Sequence, residues 1–516
     1  MTTNPATYKV FLDTERDGTF GAAVDDISDY VESVTWGVGQ SDTYGEYAQA
    51  QRASFILRDP ANQFSQDRTG ATYYGKLRPS TLLKVVMTLG ATTQQMWIGK
   101  LANMQTVVGA APDPQQQRVE LAAVDPTYQL DDIEFIPALM ISKRIDEGIA
   151  AALESGQWLF PYNSSGWLLG YSRLGINTIL AVPSAYYELE TSYVTLAYIG
   201  DHLQRDALSS IGGYVENLVG AEGGGRFFWD GRTSKFRFHN RYHDALTVSA
   251  ATITDGDVVA MAVRRGDDIV NEVRVRYTQR STGTAASVLA SNSTSFVIRA
   301  EKDRKIRLSY KDPNSEAARC AGLNVISPVD GVDVVYSGGA LTITSTVGAT
   351  STEVTLTNGG STDVTVTLVQ VRGTPLLQYD TSEVVKSDAA SVGEYDKRSR
   401  TFNTSIQDPD EADRYARKLI QRFVPARTRV ESISFLVTDG AQANWAQTLK
   451  TGDTITFEDA GSTLRGAYVI VGERHRVGEG GSTHEVTYLL KSKVSEQVWV
   501  LGSPTLSILG VSTILG

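Results

Sequence analysis

Between Val31 and Ser65 the sequence reads VESVTWGVGQSDTYGEYAQAQRASFILRDPANQFS, two alternating runs on either side of a polar, Gly-containing stretch. Val34, Trp36 and Val38 alternate in the first run, and Ala53, Phe55 and Leu57 in the second. Successive side chains of a strand point to opposite faces, so this spacing predicts two half-buried strands joined by a polar crossover. Asp59-Pro60 and the Asn62 that follows supply the turn chemistry that halts the second strand. Any antiparallel β-domain can carry such a pattern.

A chain of 516 residues exceeds one ordinary core, and roughly three to five domains are expected. Hydrophobic content of 41% with 21% charged residues describes a folded protein, not a disordered one. Cys320 is the single cysteine, which excludes an intrachain disulfide and a thiolate metal cluster and fits assembly in a reducing compartment. No apolar run reaches the length of a membrane span, and Met1-Thr-Thr-Asn-Pro lacks the basic and apolar regions of a signal peptide. The formal net charge of -11 argues against a protein that grips DNA through its phosphates. It fits either a solubilising acidic surface or a wall that DNA slides past, because like charge keeps a polyanion from sticking.

Residues 8–125 read as β-structure throughout. Tyr8–Leu12 is a first strand, Leu82–Leu89 and Met96–Leu101 form a hairpin, and Arg118–Val124 closes the set before Asp125-Pro126. Asp13, Glu15, Asp17, Asp25, Asp26 and Asp29 crowd one connection, but EF-hand spacing and its bidentate Glu are absent, so a solvated acidic loop is expected rather than a calcium site.

From residue 127 to 250 the pattern is mixed α/β. Ile145–Leu153 and Tyr198–Leu208 have helical spacing, the latter through Ile199, Leu203 and Ala207 with Asp201 and Asp206 facing outward. The Tyr-, Trp- and Leu-rich segment from Trp158 to Tyr198 has little periodicity. Arg226–Trp229 and Lys235–His239 are predicted strands joined by a tight Asp230-Gly231 turn. His239-x-x-x-His243 followed by Asp244 has the spacing of a zinc chelate on a helix. However, His239 ends a strand and position 240 is Asn where a metalloprotease has Glu, so two histidines at a strand end are the expectation. His202, His475 and His484 have no Ser or Cys partner in a strand-turn-helix elbow. Gly223-Gly224-Gly225 is a flexible run before a strand, and no phosphate-binding G-x-x-x-x-G-K-(S/T) loop occurs.

Residues 251–310 return to β-structure. Ile269–Tyr277 alternates Val273, Val275 and Tyr277 against Arg274 and Arg276, which predicts a strand with a basic face. Val332–Tyr336, Leu341–Ser345, Glu353–Thr357 and Val364–Arg372 are strands of a Thr-rich all-β insertion, with Asn358-Gly359-Gly360 as a turn. The strongest helix runs from Pro409 to Phe423: Asp408 caps it, Asp410 and Glu411 lie at its positive end, and Ala412, Tyr415, Ala416, Leu419 and Phe423 form one apolar stripe. Its expected partner is a sheet of Arg429–Val437, Thr454–Glu458, Ala467–Arg476 and His484–Lys491. Three Leu-Gly pairs mark a C-terminal tail, expected either to dock in extended form on a neighbour or to be a disordered terminus.

Several of these stretches together resemble the hub proteins at the tip of bacteriophage tails and related injection machines. Trp36-Gly37-Val38-Gly39 matches their W-x-x-G strand, and L-R-D-P-A-N-Q-F-S, ending at Ser65, matches the strand end that follows it. W-I-G-K-L at 97–101 and V-E-L-A-A-V-D at 119–125 fall where hubs carry a "(F/W)-x-G-x-(I/L)" strand and their domain exit. The hairpin AEGGGRFFWDGRTSKFRFHNR at 221–241 is similar to a recurring hub hairpin, departing from it at Ser234, where hubs often have Gly. Asn271–Tyr277 resembles the "N-x-V-x-V-x-Y" strand that begins their second barrel. L-T-N-G-G-S-T-D-V-T-V-T-L-V-Q-V-R-G-T-P-L, ending at Leu376, resembles the close of their insertion.

The resemblance implies a mainly β, α+β multidomain fold with two tail-tube-like β-barrels. The expected divisions are a first barrel at 1–126, a mixed α/β domain at 127–250, a second barrel split between 251–315 and 380–495, a small β-sandwich inserted at 316–379, and an extended tail at 496–516. It implies a non-enzymatic homotrimer, a pseudo-sixfold ring around the DNA channel of the virion tail tip, assembled in the host cytoplasm. Implied partners are the tail tube or distal tail protein, the tape measure protein and a central fibre or spike, with genome DNA passing unbound. No catalytic, cofactor-binding or metal residue is assigned. Two other classes stay open: a polysaccharide-degrading tail enzyme, which needs paired carboxylates roughly 5–10 Å apart, and a carbohydrate-binding adhesin with Trp158, Trp167 and Tyr186-Tyr187 as stacking candidates.

Overall fold

The computed structural model describes residues 4–16, 18–40, 47–79, 81–107, 117–132, 134–135, 140–155, 187–199, 209–265, 269–424, 428–459 and 464–493. Trp158, Trp167, Tyr186, His202 and the C-terminal tail lie outside the described residues.

Period-two alternation builds the first part of the chain as expected. Its strands are β1 (Thr7–Leu12), β2 (Val31–Gly39), β3 (Arg52–Arg58), β4 (Leu82–Leu89), β5 (Thr92–Val107) and β6 (Arg118–Val124). They lie in the antiparallel order β1-β4-β5-β6-β3-β2. Trp36 sits opposite Ala53 and Val34 opposite Phe55, so the two alternating runs share one buried face.

The α/β part follows. Helix α1 (Ile145–Ser155) forms where the spacing predicts it. Of the helix expected over Tyr198–Leu208, residues 200–208, with Leu203, Ala207, Asp201 and Asp206, lie outside the described residues; Tyr198 and Ile199 belong instead to a strand, Thr195–Ile199, paired antiparallel with Met140–Arg144. The reason is a competing alternation, because Val194, Leu196 and Tyr198 are all buried on one face. A helix that the periodicity does not reveal, α2 (Ile211–Glu222), is capped by Ser210, which accepts from the Gly213 amide at 3.0 Å, and ends at Gly223 in the left-handed conformation with φ +66°. Strand β7 (Tyr187–Leu189) pairs in parallel with one strand of the predicted hairpin, β8 (Arg226–Asp230) and β9 (Lys235–His239). The hairpin loop is longer than the expected Asp230-Gly231 turn, and Ser234 takes φ +54°, the conformation a Gly would take there.

Beyond this part, β10 (Ser249–Thr254) and β11 (Ala260–Arg265) precede β12 (Glu272–Thr282). The expectation placed this last strand in the second barrel. Instead it pairs with the 24-residue β13 (Val364–Ser387) and with β14 (Ser399–Asn403) in a separate seven-stranded sheet. Alternation reports which face of a strand is buried and not which neighbour it takes; β13 runs on through Pro375, where its partner changes from Ser287–Asn292 to β12 and an amide is dispensable. The basic face expected on β12 is neutralised, since Arg274 and Arg276 both reach Glu383 at 3.1 Å.

Helix α3 (Pro409–Phe423) is capped by Asp408 as predicted, but its stripe packs on Val273, Val275 and Tyr277 of β12 rather than on the expected sheet. The Thr-rich strands form a separate module, with Asp303–Ser309, Ser351–Thr357 and Thr342–Val347 covering the N-terminal part of β13.

The last strands are β15 (Thr428–Leu436), β16 (Thr454–Glu458), β17 (Arg465–Gly478) and β18 (Thr483–Ser492), with helix α4 (Gly440–Thr448) between the first two. They join β10 and β11 in the order β10-β16-β17-β18-β15-β11. This is the order of β1-β4-β5-β6-β3-β2, strand for strand. The two six-stranded sets are joined by β2 on β17 into one twelve-stranded sheet, and Trp36, Phe55, Trp97, Phe435 and Tyr488 belong to one core. The fold is therefore mainly β and multidomain, with two topologically equivalent barrel-like sets.

Because α3 and β12 share a core separate from that of the large sheet, Leu419→Ala should cost about 2–5 kcal/mol. Hydrogen exchange should locate the loss in β12, β13 and α3. Equal loss of protection in β2 and β17 would contradict separate cores.

Candidate functional site

The two sets meet at a joint that carries a connected chain of buried polar groups. Strand β2 runs antiparallel to β17, with Val34 opposite Val477, Trp36 opposite His475 and Gly39 opposite Gly472. The W-x-x-G pattern has a physical reason here. Trp36 stacks on the His475 ring at 4.7 Å and 3°. Gly39 takes φ +80°, and a Cβ there would meet Thr451 Oγ1 at 2.6 Å. At Gly472 a Cβ would lie 2.1 Å from the Gln40 carbonyl, so the backbones approach only because both positions lack side chains.

Beside this joint lies a chain of buried polar groups drawn from three regions of the sequence. Arg232, in the β8–β9 loop, donates to Glu473 on β17 at 2.6 Å and to the carbonyls of Gln447 and Ala446 at the end of α4. Glu473 also accepts from the Thr451 amide at 2.7 Å and lies 3.2 Å from His475 Nε2. His475 Nδ1 is 3.0 Å from His484 Nε2, and His484 Nδ1 is 2.7 Å from the Tyr8 hydroxyl on β1. A carboxylate can only accept, so His475 donates from Nε2, accepts at Nδ1 from His484, and His484 accepts from Tyr8. One orientation thus satisfies the chain with both imidazoles neutral.

Electrostatics agree with that orientation. Burial pushes the Glu473 carboxyl up, but Arg232 and His475 more than offset it and hold it below the usual carboxylate range. Burial pushes His475 down against the opposing pull of Glu473, and burial with the charges of His475 and Arg232 keeps His484 well below the ordinary imidazole range. Each ring nitrogen of the pair is thereby engaged, with the Tyr8 hydroxyl as donor to His484, so the arrangement ties β1, β17 and β18 together at the joint.

Other predicted positions fall elsewhere. His239 and His243 do come together, their rings stacked at 3.6 Å, while Asp244 turns away to Arg226 and to Lys491 at 3.4 Å. The acidic connection differs from the solvated loop expected. Asp13 and Asp25 are buried acceptors, Asp25 taking the Thr14 amide and hydroxyl at 3.1 and 2.6 Å and Asp13 taking the Gly18 amide at 2.9 Å. Turn geometry is what those carboxylates hold. Asp17 lies outside the described residues, and Tyr187 donates to Glu154 on α1. Arg232 and Glu473 were not legible as partners, because nothing local links positions so far apart in sequence.

No family model and no curated protein sequence matches this chain. Among solved structures it is similar to the tail protein from Neisseria meningitidis MC58, at 9% identity over 94% of this chain and 97% of that one, with a TM-score of 0.48. It is also similar to the 43 kDa tail protein of prophage MuSo2 from Shewanella oneidensis, at 9% identity over 94% and 100% with a TM-score of 0.46. A third is the prophage tail protein gp18 from Listeria monocytogenes EGD-e, at 9% identity over 95% of each chain with a TM-score of 0.41. These similar chains are tail proteins.

Two outcomes follow from the joint. Arg232→Ala leaves Glu473 as an uncompensated buried charge and should cost about 3–5 kcal/mol, with Arg232→Ala/Glu473→Gln recovering part of it in a double-mutant cycle. Secondly, the unfolded chain's imidazoles take up protons near 6.5 while the buried pair resists. Their contribution is fully present above that pH and is lost as pH falls toward the depressed folded values. Denaturant midpoints should therefore drop between about pH 7.5 and 5.5, and drop less in His475→Gln/His484→Gln. Asp125, pushed up to about 7 by burial, contributes with the opposite sign, so the histidine part is read as the difference between the two proteins. Equal slopes would rule out neutral histidines at the joint.

Proposed function

We propose that this chain is a non-enzymatic structural hub of a phage-type tail, acting as a homotrimer whose six barrel-like sets ring the DNA channel of the virion tip. The observation that carries this reading is the repeated strand order together with its unequal use. Within one chain the outer strand of the first set, β2, pairs on the second set's β17. The equivalent outer strand of the second set is β11, which among the described residues pairs on one side only, with β15. The equivalent of β17 is β5, and beyond its contact with β4 it is paired only with β6 among the described residues.

Repeating the internal joint between copies therefore sets β11 of one chain on β5 of the next. Such a contact is head-to-tail, and it closes into a ring when its rotation returns the third copy to the first. The open edge of β11 has an apolar side chain next to it: Val259, which precedes the strand, is 60% exposed. Three copies give a threefold molecule with six equivalent sets, which matches a sixfold tube on one side and a threefold tip on the other. The tail tube or distal tail protein, the tape measure protein and a central fibre or spike are the partners this geometry suits. A net charge of -11 keeps DNA mobile in the channel, and assembly in the host cytoplasm suits a chain with one buried thiol.

The test is solution mass with a directed cross-link. The full chain should weigh three times its 56.0 kDa. Cysteines placed by Ala262→Cys on β11 and Gln105→Cys on β5 should give covalent trimers with a short bismaleimide, and neither variant alone should do so. A monomeric mass, or no product with both cysteines present, removes the ring.

A further inference from the structure

We propose that the cleft where α2, β8, α3 and β18 converge binds a small anion of the phosphate class. The cleft has a volume of about 560 Å³, within the range of small-molecule sites. Although the chain carries a net charge of -11, five cationic side chains line this cleft: Arg226, Arg400, Lys418, Arg422 and Lys491. Among the described residues the one acidic side chain in the lining is Glu216, which is exposed.

The glycine run at 223–225 is what brings these cations together. Gly223 receives the Tyr415 ring of α3, and a Cβ there would lie 3.2 Å from Tyr415 Cδ2. At Gly224, with φ +118°, a Cβ would lie 3.1 Å from Lys418 Nζ. Helix α3 can therefore rest directly on the start of β8, where Arg226 is the first residue. Lys418 and Arg422 are one turn apart on α3 and share a face. Lys491 comes from the other side, near the end of β18.

Two observations point to an anion in this cleft. The Arg226 side chain is 4% exposed; its Nη2 donates to Asp244, while Nη1 is buried with no hydrogen-bond partner among the described residues. A buried guanidinium donor is costly to leave unused. The second observation is that Asp244 is shared, its other oxygen lying 3.4 Å from Lys491 Nζ. One carboxylate thus serves two buried cations, with Lys418 and Arg422 close enough to act on the same lysine. Burial and the charges of Arg422, Arg226 and Lys418 push Lys491 down to about 7 in spite of Asp244. Water would satisfy Nη1 but would leave the cations facing one another. A phosphate group carries roughly 1.5–2 negative charges and three acceptor oxygens, so it answers both needs where a single carboxylate answers one. Tyr415, Leu419 and Phe423 form an apolar wall on which an organic part of the ligand would rest. The bound anion would tie the α/β part, α3 and the second set of the large sheet to one another.

The experiment uses the full chain at low ionic strength in buffer free of phosphate and sulfate. Calorimetric titration with inorganic pyrophosphate should show one saturable site, and the ion should raise Tm. Arg226→Gln should abolish both effects. Because that variant disturbs a buried ion pair, Lys418→Gln/Arg422→Gln, at half-buried positions on α3, is the second arm. There pyrophosphate affinity should fall by about tenfold or more with the far-ultraviolet circular dichroism unchanged. Adenosine 5′-diphosphate in place of pyrophosphate separates the sources: tighter binding assigns the site to an organic phosphate resting on the apolar wall, and equal or weaker binding to the inorganic ion. No saturable binding of either probe by the wild type, or affinity unchanged in Lys418→Gln/Arg422→Gln, would overturn the site. None of these results bears on the trimer, whose mass and cross-link are read separately.

Discussion

The pairing of β2 with β17 is what makes this chain one object instead of two. Each six-stranded set would otherwise end in an unpaired edge at that point, with amides and carbonyls open to any other strand. The pairing removes both edges and merges the apolar faces into one core. It is possible only because Gly39 and Gly472 let the backbones approach, and because Trp36 finds a flat partner in His475. The polar chain from Arg232 to Tyr8 adds little net stability by itself, since burying an ion pair costs roughly what the attraction returns. Its effect is on arrangement. Arg232 reaches Glu473 only when the β8–β9 hairpin is seated against α4, so the ion pair fixes how the α/β part docks on the joint.

Local pattern made much of this fold legible. The alternation around Trp36 and Phe55 named two neighbouring strands, and Asp408 with the stripe from Ala412 to Phe423 named a helix and its buried face. What alternation does not carry is the identity of the partner. Val273, Val275 and Tyr277 were correctly buried, yet β12 joins β13 and α3 rather than the later strands. Helix α2 was hidden by Gly212, Gly213 and Gly220, residues poor in helix propensity, and its real signals were the Ser210 cap and the left-handed Gly223. At Tyr198 two periodicities overlapped, and the strand prevailed because it had a partner in Met140–Arg144.

The chemistry was harder to read than the fold for the same reason. His239, His243 and Asp244 are close in sequence, which suggested Asp244 as their carboxylate partner; in space Arg226 claims it, and the carboxylate beside His243 is Glu190, brought there by the β7–β9 pairing. Likewise, His475 and His484 face each other because β17 and β18 are a hairpin, but Arg232 and Tyr8 reach them from the rest of the chain. Short-range spacing can suggest ligand types. It cannot say which charge is already neutralised.

The two sets also differ in a way that bears on symmetry. In the first, the crossover from β2 to β3 is the polar stretch between residues 39 and 52; in the second, the equivalent crossover from β11 to β15 carries residues 266–427, including β12, β13, α3 and the Thr-rich module. The outermost pairs differ too, β1 on β4 being antiparallel and β10 on β16 parallel. A ring of such chains would be nearly sixfold where the common strands lie and only threefold where every second set bears the large excursion. The shared strand order is retained in both sets because the excursion is confined to that one crossover. An insertion of that size is tolerated at a crossover because loop-closure entropy grows only logarithmically with length, and because β12, β13 and α3 bring a core of their own.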